Sequence, residues 1–130
     1  MDILIRYGFS IEEIKCMMDC NQDIGNIEDN DIEELINILK DNNCNLSIIK
    51  NILLTNPFYL NNNIDDVLRL IDTLKKNNVN DLDLLFDSNP FILNISSKDI
   101  KRILNKLDNK LFYYNSSNII WKEWNYECCY

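Results

Sequence analysis

From residue 3 to residue 107 apolar residues recur at three- and four-residue steps, the spacing of helices that each bury one face. Ile11, Ile14, Met17 and Met18 form the first full stripe, and Ile32, Leu35, Ile36 and Leu39 the second. Ile49, Ile52 and Leu53 follow, then Ile64, Val67, Leu68, Ile71 and Leu74, then Leu82, Leu85 and Phe86. Ile100, Ile103, Leu104 and Leu107 close the series. No stretch here sustains period-two alternation, so the predicted class is all-α.

Polar residues mark where these helices start and stop. Ser10 with Glu13 is a capping box, a pattern that Asn30 with Glu33 repeats. Asn45 is expected to cap Leu46 to Thr55, Asn63 to cap Ile64 to Lys76, and Asn80 to cap the short helix after it. Ser96 with Asp99 starts the last helix. Ile3 to Tyr7 reads as one helical turn, with Gly8 in the left-handed position beyond its end. Pro57 ends the third stripe, because the residue before a proline is pushed out of the α region.

The helices come in recurring pairs. Leu53 to Asn61 returns as Phe86 to Asn94, an offset of 33, and Leu39-Lys40-Asp41-Asn42-Asn43 returns as Leu74-Lys75-Lys76-Asn77-Asn78, an offset of 35. Ile11, Ile14, Met17, Met18 and Asn21 match Leu46, Ile49, Ile52, Leu53 and Asn56, again at 35. The chain has only two prolines, and both stand at the same place in this pattern, as Asn56-Pro57 and Asn89-Pro90. A single hairpin cannot bury its stripe alone, whereas stacked hairpins share a core. The expected architecture is an α-solenoid, right- or left-handed, of about three helical-hairpin units over residues 1–110. Residues 111–130 break the period and carry Phe112, Tyr113, Tyr114, Trp121, Trp124, Tyr126 and Tyr130, and are expected to form an aromatic C-terminal cap on the same domain.

Gly8-Phe9-Ser10-Ile11-Glu12-Glu13-Ile14 and the corners Asn56-Pro57-Phe58-Tyr59-Leu60 and Asn89-Pro90-Phe91-Ile92-Leu93 together resemble the mitochondrial transcription termination factor (mTERF) family. The resemblance spans about residues 6–107, and the first corner carries Gln22 where the other two carry proline. It implies a curved helical-repeat solenoid whose members bind nucleic acid along a basic concave surface in organelles.

Composition and charge narrow the expected function. The chain of 130 residues has 46% hydrophobic residues, enough for one folded domain. It holds 22 Asn, 20 Ile and no Ala, a usage that matches the codons of an AT-rich genome, so Asn61-Asn62-Asn63 reads as loop and cap. Asp2 and Arg6 make the start unlike a signal peptide, and no stretch approaches the roughly 18 apolar residues of a membrane span. A cytoplasmic protein with five reduced cysteines and no membrane partner is expected. Its net charge of −8 is uneven: residues 1–66 hold four Lys/Arg against thirteen Asp/Glu, and residues 67–130 hold nine against eight.

Two surfaces are candidates for binding. Lys98, Arg102 and Lys106 share one face of the last helix, with Lys101 and Lys110 beside it, and Lys75 and Lys76 end the equivalent helix one unit earlier. Such cations suit phosphates, although the chain as a whole is acidic. Asp19, Asp23, Glu28, Asp29, Asp31, Glu33 and Glu34 are the acidic counterpart. They suit a basic protein surface, or the imitation of a nucleic-acid backbone by an inhibitor from a phage or mobile element; several also suit helix N-termini. Cys16 and Cys44 read as small core residues, and Cys128-Cys129 are too close together for a usual zinc spacing, so no metal and no cofactor is expected. With no His there is no Ser-His or Cys-His pair, and Gly8 and Gly25 make no phosphate loop. The expectation is a non-enzymatic binding module, its partner a protein before a nucleic acid. The corner residues Asn56, Pro57, Asn89 and Pro90 are expected to be structural.

Overall fold

The computed structural model describes residues 2–106. Within them lie seven α-helices: α1 (Asp2–Arg6), α2 (Ile11–Cys20), α3 (Asp29–Asp41), α4 (Leu46–Thr55), α5 (Ile64–Lys76), α6 (Leu82–Ser88) and α7 (Ser97–Lys106). Three short 3-10 helices, Gln22–Asn26, Pro57–Asn61 and Pro90–Asn94, are called the first, second and third corners. No strand occurs among the described residues. The expected aromatic cap, residues 111–130, lies outside them, as do Leu107 and Lys110.

Local chemistry accounts for most boundaries. The Ser10–Glu13 capping box is complete: Glu13 N donates to Ser10 Oγ at 3.1 Å, and Ser10 N donates to Glu13 Oε1 at 2.9 Å. Asn45 accepts from Ile48 N at 2.9 Å and Asn63 from Asp65 N at 2.8 Å, so α4 and α5 begin where their caps predict. Ser96 Oγ accepts from Asp99 N at 3.1 Å. Two caps differ from expectation. α3 starts at Asp29, with Glu28 as its N-cap and no side-chain cap bond, so Asn30 is already inside the helix. α6 is preceded by Asp81 rather than Asn80.

Three helix ends share one construction. Gly8, Asn43 and Asn78, evenly spaced at 35 residues, all adopt positive φ, at 93°, 70° and 65°. Behind each, the next residue donates its N–H back across the helix end: Phe9 to Leu4 O at 3.1 Å, Cys44 to Leu39 O at 3.1 Å, and Val79 to Leu74 O at 3.0 Å. This is the Schellman closure, which satisfies carbonyls that a helix end leaves without partners. All six residues in these bonds are buried.

The helices pack in two rows. α1, α3, α5 and α7 touch in succession, as do α2, α4 and α6, and the corners stack first on second and second on third. One continuous core runs between the rows, from Ile3 and Leu4 to Ile103 and Leu104. Fully burying a Leu or Ile side chain stabilises by about 1.5–3 kcal/mol, so these stripes hold the stack together. Two stripe assignments are corrected by the packing. Leu70, not Leu68, faces the core of α5, and Leu68 is 48% exposed; Ile11, at the start of α2, is 61% exposed. Cys44 is buried as expected, but Cys16 is exposed.

Candidate binding surface

The corners place the surface. Asn21, Asn56 and Asn89, each the last residue before a corner, are at most 2% exposed. Asn21 Nδ2 donates to Pro57 O at 3.1 Å, and Asn56 Nδ2 donates to Pro90 O at the same distance. Asn21 and Asn61 exchange side-chain bonds of 3.0 and 3.3 Å. Asn94 donates to Asn56 Oδ1 at 3.1 Å and accepts from Asn62 at 2.6 Å. Tyr59 adds a bond from its hydroxyl to Leu35 O at 2.6 Å, and burial pushes its phenol pKa upward. Buried amides that are fully paired fix position more than they add stability. No described buried side-chain N or O lacks a partner.

Among the described residues, three hollows open along the α3–α5–α7 row. The largest, about 680 Å³, lies where the first corner and the start of α3 face the second corner and the start of α5. Asp23, Glu28 and Asp31 line one wall and Asn61, Asn62 and Asn63 the other, with no Lys or Arg among the lining residues. The second, about 280 Å³, lies further along the same α3–α5 seam and holds Ile38, Leu68 and Ile71 flanked by Asp41, Asp72 and Lys75. The third, about 240 Å³, takes the first hollow's place one helix on, between α5 and the third corner with α7, and mixes Asp66 with Arg69 and Lys98.

The acidic candidates therefore divide. Asp23, Glu28 and Asp31 gather at the first hollow, whereas Asp19 sits on α2 in the other row. Glu34 is exposed on α3, and Asp29 and Glu33 are half-buried there. Of the basic candidates, Lys76 is held by Asp72 at 2.9 Å, and Arg69, beside Lys98 in the third hollow, is held by Asp66 at 3.1 Å. Lys75, Lys98 and Lys101 are exposed, Arg102 is half-buried, and Lys106 ends α7. Asn56, Pro57, Asn89 and Pro90 are all buried at the corners. Asp41, Leu68 and the Asn61–Asn63 wall are the additions; Asn62 and Asn63 sit in a run that reads from sequence as loop and caps alone.

Elsewhere the electrostatics are local. Ser10 and Lys50 hold the Glu13 carboxyl below its usual range, Lys50 lying 2.9 Å away and also donating to Gly8 O at 3.1 Å. Burial, aided by Asp83 and Asp87, pushes the Cys44 thiol up to about 12. Among the described residues no three His, Cys, Asp or Glu side chains are grouped to hold a metal ion, and no helix is long and apolar enough to cross a membrane. Comparison with protein-family models, curated proteins and solved structures gives no match to this chain.

Proposed function

We propose that this chain is a short α-solenoid of about three hairpin units, similar in architecture to the mTERF family, and that it serves as a non-enzymatic binding module for a protein. The even 35-residue spacing of Gly8, Asn43 and Asn78 supports the repeat, as do the matching bonds of Asn21 and Asn56. The binding role rests on one observation: the hollow at the first corner presents Asp23, Glu28 and Asp31 without a cation among its described lining residues. That field repels phosphates and favours cationic side chains. The competing reading, a nucleic-acid binder, draws on Lys98, Lys101, Arg102 and Lys106 of α7, where Asp66 and Asp99 share the surroundings.

Affinity capture with the full chain, run with and without nuclease, separates the two. A protein retained after nuclease treatment supports the proposal. Retention that depends entirely on intact DNA or RNA, together with nucleic-acid binding that weakens steeply as salt rises, would replace it with the α7 reading.

A further inference from the structure

We infer that the α3–α5 seam is the docking groove for a basic, apolar-anchored segment of the partner protein. This rests on the protein-binding reading and names where and how that binding occurs. The first and second hollows lie end to end along one helix pair, and each helix has 13 residues. The groove is thus about 20 Å long at 1.5 Å per residue, room for a segment of some dozen residues. Its rim carries Asp23, Glu28, Asp31 and Asp41, none of them in an ion pair with another described residue. Among the described residues Lys75 is the lone cation lining either hollow, and Asp72 is already matched by Lys76. Leu68 stands 48% exposed between Ile38 and Ile71, both at least 93% covered, and so offers an apolar contact at one end of an acidic groove.

The groove is also held in shape before anything binds. Asn61 is tied to Asn21, Asn62 to Tyr59 O and Asn94, and Asn63 to the first turn of α5. A wall fixed in this way spares the partner much of the ordering cost of association. Charge selects a Lys/Arg-rich ligand, and Leu68 sets which end of it carries the apolar residue. The third hollow, with Arg69 and Lys98, lacks this one-signed rim.

The test uses the full chain and a fluorescein-labelled 15-residue Lys-rich peptide that carries Leu near one end. Fluorescence anisotropy at 20 mM and 300 mM salt should show binding that weakens with salt, since the screening length falls from about 20 Å to about 6 Å between them. Combining Asp23→Asn, Glu28→Gln and Asp31→Asn should weaken binding about tenfold, three partly exposed charge pairs' worth. Asp2→Asn, Glu12→Gln and Asp19→Asn remove the same charge from α1 and α2 and should leave affinity within about twofold, since they lie outside the groove. Leu68→Ala keeps every charge and should weaken binding several-fold. Absence of binding at 20 mM salt, equal losses in the two triple variants, or an unchanged affinity for Leu68→Ala overturns the assignment. If the groove triple variant captures the same protein partner as the unaltered chain, the broader reading stands and this groove is removed from it. Far-UV circular dichroism on each variant confirms the fold.

Discussion

Replacing Asn56 by Ala should cost the fold more than its single small polar side chain suggests. Asn56 is fully buried, donates to Pro90 O at 3.1 Å and accepts from Asn94 at 3.1 Å. Each bond is worth about 1 kcal/mol net. Asn94 is only half-buried, and Pro90 O stays within the 3-10 turn of the third corner, so the loss is that of the two bonds themselves. The sum is about 2 kcal/mol, read as a lower urea midpoint at unchanged m, or as a fall of about 8 °C in Tm. Asn51→Ala is the control, because Asn51 bonds the Asp87 side chain at 2.9 Å on an exposed face, and it should stay within about 0.5 kcal/mol of the unaltered chain. Equal losses at the two positions would show that the corner amide is ordinary polar surface and refute the reasoning.

The same position offers a sharper form of the test. Asn56→Asp keeps the shape but points a carboxylate oxygen at Pro90 O in a site without solvent. Burial raises that carboxyl's pKa in the folded state above its unfolded value of about 3.9. The variant is then least stable, relative to the unaltered chain, above the folded pKa. The deficit shrinks as pH falls and is smallest below about 3.9, where both states are protonated. A deficit independent of pH would mean that the side chain leaves the site.

Three further outcomes follow from local geometry. With Cys128 and Cys129 replaced by Ser, a thiol reagent at pH 8 should modify the exposed Cys16 and Cys20 promptly and Cys44 only on unfolding, since burial pushes its thiol up to about 12; peptide mass spectrometry reads the three apart. Glu13→Gln should destabilise at pH 7, because Ser10 and Lys50 hold the folded carboxyl below its unfolded range. That contribution is present above the unfolded pKa and lost as pH falls through the folded one, so urea midpoints of variant and unaltered chain should converge in acid. Asn43→Gly should be neutral or mildly stabilising and Asn43→Ala should cost about 1 kcal/mol, since φ is 70° there; the reverse order in thermal melts would contradict the Schellman assignment.

Much of the fold was legible because its signals are local. Ser10, Asn45 and Asn63 cap the helices that follow them, and Gly8 takes the left-handed position, all from chemistry within four residues. The Leu68 assignment failed for a tertiary reason. α5 packs against both α3 and α7, which rotates its buried arc towards Leu70 and leaves Leu68 at the margin. The candidate groove was less legible still, since Asp23, Glu28 and Asp31 meet Asn61–Asn63 only once α3 and α5 lie side by side. The acidic run was visible along the chain, but periodicity carries no information about which of its members share a wall.

The corners show where reading from proline went too far. Proline marks the second and third corners in the sequence, and Gln22 in the first reads as a departure. Yet Gln22–Asn26 forms the same 3-10 turn, and Asn21, at φ −128° and ψ 95°, takes nearly the conformation of Asn56 at −130° and 75°. Nothing about glutamine forces Asn21 out of the α region, as proline would. What holds it is its own bonding: its N–H donates to Met17 O at 2.8 Å, its side chain accepts from Asp23 N at 3.2 Å, and its amide reaches Pro57 O. Asn56 makes the equivalent bonds to Ile52 O and Pro90 O. The asparagine therefore defines the corner and ties it to the next one, while proline only stiffens a turn that the amide already sets. It follows that Pro57→Ala should be milder than Asn56→Ala, since Pro57 O stays in place to receive the Asn21 amide.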